Sequence, residues 1–478
     1  MEVKNKNYRW KICSLLFFAT AINYLDRQVL SLTWSDFIAP EFHWTNNDYG
    51  NITALFSIFY AVSLLFAGRF VDWMDTKKGF LWAIGIWSFG ACLHAFCGIA
   101  TAGIITGNWF VGFEEAKEII ATVNDTGMVI NVSVTLFIFA RFVLAVGEAG
   151  NFPAAIKATA EYFPKKDRAL STSIFNAGAT VGALAAPISI PFIARAFGWE
   201  MAFIIIGALG FVWMGFWIFM YEKPEKHPKV TAAELAYIQQ DDIADSKLEG
   251  YTPETTAKVS LMQCFKYRQT WAFAFGKFMT DGVWWFFLFW TPAYLSSVYK
   301  MDSTQAALPL FVLYMITLLS IIGGWLPTYF VEKKGMNPYA GRMKSMLIFA
   351  FFPLLAMIAQ PLGHITYWIP VIIIGIAGAA HQAWSANIFT TVGDMFPKKA
   401  IATIVGIGGL AGGIGSTIIN KGSGMLFDFS KETNMAFMGF KGIEAGYFII
   451  FSICAVCYLI GWTVMKLLVP RYSPIKDM

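Results

Sequence analysis

Apolar stretches about as long as a bilayer is thick recur along this chain, at 10–38, 47–73, 79–104, 128–162, 168–197, 199–221, 269–299, 304–331, 343–361, 366–394, 400–428 and 443–468. A helix rises 1.5 Å per residue, so about 20 apolar residues cross the hydrocarbon. The pattern predicts an all-α membrane protein with twelve transmembrane helices. One polar stretch is long, and it divides the spans six and six. It predicts an N-terminal six-helix half at 1–221, a cytoplasmic linker at 222–267 and a C-terminal six-helix half at 268–478. Within the linker, Thr231 and Glu234 have capping-box spacing ahead of Leu235 and Ile238, and Ser260 with Gln263 predicts a second helix start.

Composition agrees: 14% of the residues are charged, 57% are hydrophobic and the mean hydropathy is +0.55. That excludes a soluble domain and gives no support to a nucleic-acid partner. The net charge of +5 matters less than its placement. Lys4, Lys6, Arg9, Lys77, Lys78, Lys165, Lys166, Lys333, Lys334, Lys398 and Lys399 fall on one side of the spans, while the opposite turns at 39–46 and 362–365 carry no Lys or Arg. By the positive-inside rule both termini are expected in the cytoplasm, for a multi-pass monomer in the bacterial inner membrane. The N-terminus enters a long span holding Asp26 and Arg27, without a small-residue cleavage site, so no removable signal peptide is expected. Six Cys show neither a disulfide framework nor a metal pair, His381 has no ligand cluster, and no Gly-x-x-x-x-Gly-Lys loop is present. No cofactor or metal is expected.

The chain repeats itself. Glu161-Tyr162-Phe163-Pro164-Lys165-Lys166 ends the fourth span, and Asp394-Met395-Phe396-Pro397-Lys398-Lys399 ends the tenth. The spans that follow are glycine-rich: Gly178 and Gly182 in the fifth, then Gly406, Gly408, Gly409, Gly412, Gly413 and Gly415 in the eleventh, where the span is expected to form a sliding interface with Gly412 as the position that probes it. Lys77-Lys78-Gly79 is echoed by Lys333-Lys334-Gly335. Two repeats around a polar centre are the layout of an alternating-access transporter. The stretch 105–127, with Glu114, Glu115, Lys117, Glu118 and Asp125 beside Ile119 and Ile120, reads as an amphipathic surface helix or an acidic lid.

Four charges lie at membrane depth: Asp26, Arg27, Arg141 and Glu148, with Asn151 one turn beyond. An ion at the bilayer centre costs about 2.5–3.5 kcal/mol on insertion scales, so such groups face a protein interior or a water-filled path. Arg141 and Glu148 are two turns apart, about 10 Å along a helix, too far for a direct bridge. Each therefore seeks a partner on another helix. Asp26 and Arg27, adjacent, point about 100° apart and do not face each other. The four charges sum to zero, and protonating one acid leaves the set ready for one carboxylate, the minimum for proton-coupled anion symport. A static ion network that only fixes helix packing is the other reading. Tyr24, Tyr60, Asn176, His381, Gln382, Ser385 and Asn387 fall in the middle third of their spans, placed for sugar hydroxyls or for helix-to-helix hydrogen bonds. Trp284 and Trp285 read as a sugar platform or as lipid-facing bulk. Lys277 and Asp281 stand one turn apart and can neutralise each other.

Several motifs carry a family resemblance: Asn23-Tyr24-Leu25-Asp26-Arg27, Arg141 through Glu148 with Asn151, Pro153 and Lys157, Phe175-Asn176-Ala177-Gly178, and Ala380-His381-Gln382-Ala383 leading to Asp394-Met395-Phe396-Pro397. Over essentially its whole length the chain resembles a major facilitator superfamily transporter of the anion:cation symporter family, near the bacterial hexuronate and aldonate permeases. Gly68, Asp72, Lys77 and Lys78 fit the family's gating loop, whereas Trp73 and Asp75 depart from it, as does the 105–127 insertion. The resemblance implies a major facilitator fold and, rather than an enzyme, a secondary active transporter taking up a sugar-acid monocarboxylate with protons, a hexuronate such as glucuronate or galacturonate. Taken with the depths and charge balance above, it gives expected substrate contacts at Tyr24, Arg27, Tyr60, Arg141, Asn176, Lys277, Trp284, His381, Gln382, Ser385 and Asn387 and proton coupling through Asp26 and Glu148, and it implies Arg141 as the countercharge of Asp26. The gating loop would be Gly68, Asp72 and Lys77. An aldonate (galactonate or gluconate) or another organic anion, Na⁺ coupling, and a non-transporting sugar-acid sensor remain the alternatives.

Overall fold

A computed structural model describes residues 7–240 and 260–475. Lys4, Lys6 and the 241–259 part of the expected linker lie outside the described residues, as do the side chains of Lys165, Lys166, Lys398 and Lys399. In chain order the main helices are α1 Tyr8–Thr33, α2 Asn46–Met74, α3 Thr76–Ala95, α4 Cys97–Thr106, α5 Phe113–Thr122, α6 Thr126–Glu148, α7 Asn151–Tyr162, α8 Lys165–Phe197 and α9 Trp199–Met220. Then come α10 Ala232–Ile238, α11 Arg268–Tyr299, α12 Ala307–Thr317, α13 Ile322–Lys334, α14 Pro338–Phe351, α15 Ala356–Leu362, α16 Trp368–Met395, α17 Lys398–Glu432 and α18 Ile443–Leu468. Several expected spans are two helices in series. The span at 128–162 breaks at Ala149 and Gly150, and α3 and α4 meet at a 55° bend.

Among the described residues, nine helices are long and apolar enough to cross a membrane, or ten if the bent pair counts as one span. The expected twelve rests on also counting α1 and α11, whose 26 and 32 residues hold Asp26 with Arg27 and Lys277 with Asp281. These charges lower the apolar content of the very helices that carry the polar centre. Both packed sets follow one scheme: α1 lies along α8, and α11 along α17. Glycine makes the first contact possible, because a Cβ on Gly182 would sit 2.3 Å from the Ala21 carbonyl oxygen. The sets meet along α2 with α17 and α8 with α12.

The hydrogen bonds that join the two sets run from the middle of the bundle to the end opposite the termini. Ser57 and Ser416 hydroxyls meet at 3.0 Å, and Tyr49 donates to the Phe289 carbonyl at 2.9 Å. The outermost link completes a helix start. Thr45 and Asp48 form a reciprocal capping box on α2, while Asp428 of α17 accepts from the Asn46 and Asn47 backbone N–H groups at 3.0 and 2.6 Å and from Asn46 Nδ2 at 2.8 Å. The orphan donors of the first turn of α2 are thus shared between a local cap and a carboxylate from the other set. Lys421 adds bonds to Asn47 and Asn51 at 2.6 and 2.5 Å.

Three local expectations change. Thr231 does accept from Glu234 N at 3.2 Å, but the Glu234 carboxylate binds the Arg9 backbone N–H at 3.0 Å instead of closing the box. Ser260 precedes the short helix Leu261–Cys264 without a side-chain cap. Gly412 does not face the seam: a Cβ there would meet Asp281 Oδ2 at 2.2 Å, whereas Gly413 faces Ala61 of α2, 2.2 Å from a Cβ. The inserted stretch forms α5, packed through Ala116 and Ile120, with Lys117 Nζ 3.1 Å from Glu200 and 2.9 Å from Glu114. Nearby, burial pushes the Glu41 carboxyl up to about 7 even though it accepts from Trp199 Nε1 at 2.8 Å.

Replacing Asp428 with Ala removes a charged acceptor from three donors. Water recovers part of that loss, leaving a shift of about 1–2 kcal/mol, about five- to thirtyfold in population. Spin labels at the exposed His43 and Thr433 positions should report a larger long-distance population at this end. An unchanged distance distribution would show that the cap does not hold the seam.

Candidate functional site

A cavity of about 580 Å³ lies between the two helix sets, bordered by Tyr24 of α1, Asn176 and Thr180 of α8, Trp284 of α11, Tyr314 and Thr317 of α12, and Gln382, Ser385 and Phe389 of α16. Five residues singled out from sequence, Tyr24, Asn176, Trp284, Gln382 and Ser385, share this wall. Their positions supply hydroxyl, amide and aromatic groups at one depth, suited to a polar ligand with an apolar face.

Behind Tyr24 sits the charge cluster. Arg27 donates from Nε and Nη2 to Glu148 Oε2 at 2.9 and 2.7 Å, and Glu148 is fully buried. This joins α1 to α6 across 121 positions of chain, a partner sequence spacing alone could not name. Rings enclose the guanidinium: its carbon lies 4.7 Å from the Tyr60 centroid, 5.0 Å from Trp285 and 5.2 Å from Tyr24. Cation and carboxylate are thus paired, and the guanidinium faces are covered by π-systems.

The expected Asp26 to Arg141 bridge is not formed. Both Asp26 oxygens are buried without a hydrogen-bond partner, and so are Arg141 Nη1, Glu148 Oε1 and the side-chain amides of Asn23 and Asn151. Arg141 instead lies 5.2 Å over the Phe56 ring. Asp26 and Arg27 point about 100° apart on α1, so the orientation that brings Arg27 onto Glu148 of α6 turns Asp26 away from that contact. A buried polar set with this many unfilled bonds is suited to water and to an exchanging ligand or proton, and is costly as a static core.

On the other side of the cavity, Lys277 Nζ lies 2.7 Å from Asp281 and 4.3 Å from the Phe389 ring centroid, so its charge is already matched. His381 stacks on Trp284 at 5.4 Å and 2°, and its Nδ1 is 2.8 Å from the Tyr458 hydroxyl. It braces the tryptophan that lines the wall. Asn387 donates to the Gly323 and Ala383 carbonyls at 2.9 and 2.8 Å, which makes it a tie between α16 and α13 rather than part of the cavity wall. At the terminus end, Asp72 pairs with Lys157 at 3.1 Å and Lys77 with Glu222 at 3.0 Å, while Gly68 has open space where a Cβ would be. Sequence reasoning missed Phe56, Thr180, Tyr314, Thr317 and Phe389, ordinary apolar or small polar residues that become site residues only through helix packing.

Truncating one member of a buried pair leaves the other without its countercharge, at about 3–5 kcal/mol, whereas replacing both with apolar residues is near neutral. Arg27→Ala should therefore lower the thermal unfolding midpoint in detergent more than the double variant Arg27→Met with Glu148→Leu. Equal losses would mean that the two groups do not satisfy each other.

The comparisons with known proteins agree with this architecture. The profile of the Major Facilitator Superfamily matches residues 16–419. The hexuronate transporter of Escherichia coli (strain K12) is 27% identical over 472 residues, 97% of this chain and 95% of that protein. The galacturonate transporter of Dickeya chrysanthemi is 26% identical over 340 residues, 71% of this chain and 87% of that protein. Among solved structures, a bacterial homolog of the human lysosomal transporter Spinster, inward-facing and unoccupied, superposes with a TM-score of 0.71 at 17% identity, covering 98% of this chain and 100% of that one. The D-xylose-proton symporter gives 0.63 at 16%, with 98% of each chain covered. With a family match over most of its length and the helical fold to go with it, this chain belongs to the Major Facilitator Superfamily and is a multi-pass membrane transporter, not an enzyme.

Proposed function

We propose that this protein is a secondary active transporter that takes up a sugar-acid monocarboxylate, a hexuronate such as glucuronate or galacturonate, together with protons. The observation that carries the reading is the Arg27 to Glu148 pair behind the cavity wall, a carboxylate held by the arginine that a substrate carboxylate would claim. Relatives named as hexuronate and galacturonate transporters support the substrate class, and the cavity of about 580 Å³ is of a size for a six-carbon sugar acid with water. The halves at 1–221 and 268–478 would rock about the cavity, with both termini in the cytoplasm.

Coupling follows from the pair. A substrate carboxylate that takes Arg27 leaves Glu148 buried without its cation, and a buried lone carboxylate is relieved by taking a proton. Asp26, already without a hydrogen-bond partner, is the second proton carrier. If two protons accompany one monoanion, each cycle moves one net positive charge, worth about 2.3 kcal/mol per 100 mV. The network's charge balance, two acids against two arginines, then ties anion entry to proton loading.

Uptake of labelled glucuronate, galacturonate, gluconate and galactonate into proteoliposomes, with pH and Na⁺ gradients imposed separately, tests substrate and ion together. Hexuronate accumulation driven by the pH gradient alone is expected. Accumulation of the aldonates only, or dependence on Na⁺, would replace the reading, and binding without any flux would point to a sensor.

Glu148→Gln imitates the protonated state. The variant should retain counterflow exchange and lose pH-driven accumulation, both measured in one preparation. Full concentrative uptake by it would remove Glu148 from the coupling scheme.

A further inference from the structure

We infer that a second pocket, at the end of the bundle opposite the termini and away from the central cavity, binds the ammonium-bearing headgroup of a membrane lipid. The pocket, about 370 Å³, lies between the end of α11, the turn from α15 to α16 and the first turn of α18. Its walls are Tyr299 and Tyr367, with ring centroids 6.2 Å apart at 63°, backed by Tyr294 edge-on to Tyr299 at 5.6 Å and 90°. The box is held in place. The Tyr299 hydroxyl lies 3.3 Å from the Gly363 carbonyl, to which it donates, and a Cβ on Gly363 would stand 2.3 Å from that hydroxyl, so glycine lets the ring close over the turn. Gln360, 2% exposed, accepts from the Tyr294 hydroxyl at 2.8 Å and joins the lining.

The remaining charged wall residue is Glu444, which has no ion-pair partner among the described residues. Tyrosine rings lining one pocket with a carboxylate suit a cation, because the ring quadrupole and the carboxylate both attract positive charge. The same carboxylate repels an anionic sugar acid, so this is not an outer copy of the central site. A primary or quaternary ammonium fits the volume and the chemistry.

The surroundings point to lipid as its source. A two-stranded hairpin, Ala436–Phe437 paired with Phe440–Lys441, leans on the pocket through Phe440, stacked 5.7 Å from His364. Its turn presents Met438, 74% exposed, and the opposite lip presents Ile365, 73% exposed. Tyr367 is also in ring contact with Trp368 at 5.1 Å. Apolar tips and paired aromatics at a span end belong to the membrane interface, where headgroups lie. Lys441, exposed and three positions before Glu444, offers a positive charge to the phosphate of the same headgroup. The order of charges, cation outside and carboxylate within, matches a phosphate with an ammonium tail.

The full-length protein in nanodiscs of phosphatidylglycerol mixed with phosphatidylethanolamine or phosphatidylcholine, released for native mass spectrometry, tests the assignment. Wild type should retain both ammonium lipids in preference to phosphatidylglycerol. Glu444→Gln and Tyr367→Ala should each lower that retention about tenfold with the unfolding midpoint unchanged. A second arm adds soluble ethanolamine and choline at millimolar concentration. Displacement by these, with no preference among the lipids, would overturn the lipid assignment in favour of a soluble ammonium ligand. Equal retention of all three lipids without such displacement, or retention indifferent to both substitutions, would overturn the site itself.

Discussion

Charge at membrane depth is the constraint around which this protein is built. Lipid offers an ion nothing, so each needs a partner, a ligand or a water-lined path, and the helices that carry ions must turn them inward. That requirement orients α1 and α6: Arg27 reaches Glu148, the guanidinium is wrapped by Tyr24, Tyr60 and Trp285, and the tyrosine that covers it becomes part of the cavity wall. Burying the pair is not a source of stability in itself, since hydrophobic residues of similar volume would serve as well. Under the proposed cycle its value lies in being exchangeable. Asn23, Asp26 and Asn151, buried around it, keep the region polar.

The bonds that join the two helix sets have a different character. They gather from the bundle's middle to one end and consist of surface-type groups, amides, hydroxyls, Lys421 and Asp428, that water can satisfy when they part. Aromatic contacts lie on the same seam, Phe56 against Phe289 and Trp285 and Trp34 against Trp290, and separating those exposes apolar area at about 25 cal/mol per Å². Glycines let backbones come close within a set, as at Gly182 against Ala21, and between the sets, as at Gly413 against Ala61. Tight packing within each set beside a mixed polar and aromatic seam between them suits two alternating states.

Much of the fold could be read from the chain because membrane helices announce themselves by length and apolarity, and lipid leaves the backbone few alternatives. The two spans with the weakest signal, α1 and α11, are weak because they carry Asp26, Arg27, Lys277 and Asp281. The site was legible where function demands an unusual residue: an arginine, an acid or an amide in an apolar helix stands out. It was illegible in two ways. Pairing across helices is not encoded in spacing, so that Arg141 rests on Phe56 rather than on Asp26 needed the packed structure. Residues that act by shape, such as Phe56 under Arg141 or Phe389 under Lys277, look like any other core aromatic. Asn387 shows the converse, a polar residue at the right depth that serves as a helix tie.

The connection between the sets has a mechanical consequence. Helix α10 is fastened to the first set, with Glu234 on the Arg9 backbone, Tyr237 4.6 Å from the Arg9 guanidinium and 2.8 Å from Asp167. It travels with that set as part of one body. The register between the two sets is carried by the helices that touch, α2 with α17 and α8 with α12, and a load applied at α10 is felt by α1 before it reaches that seam.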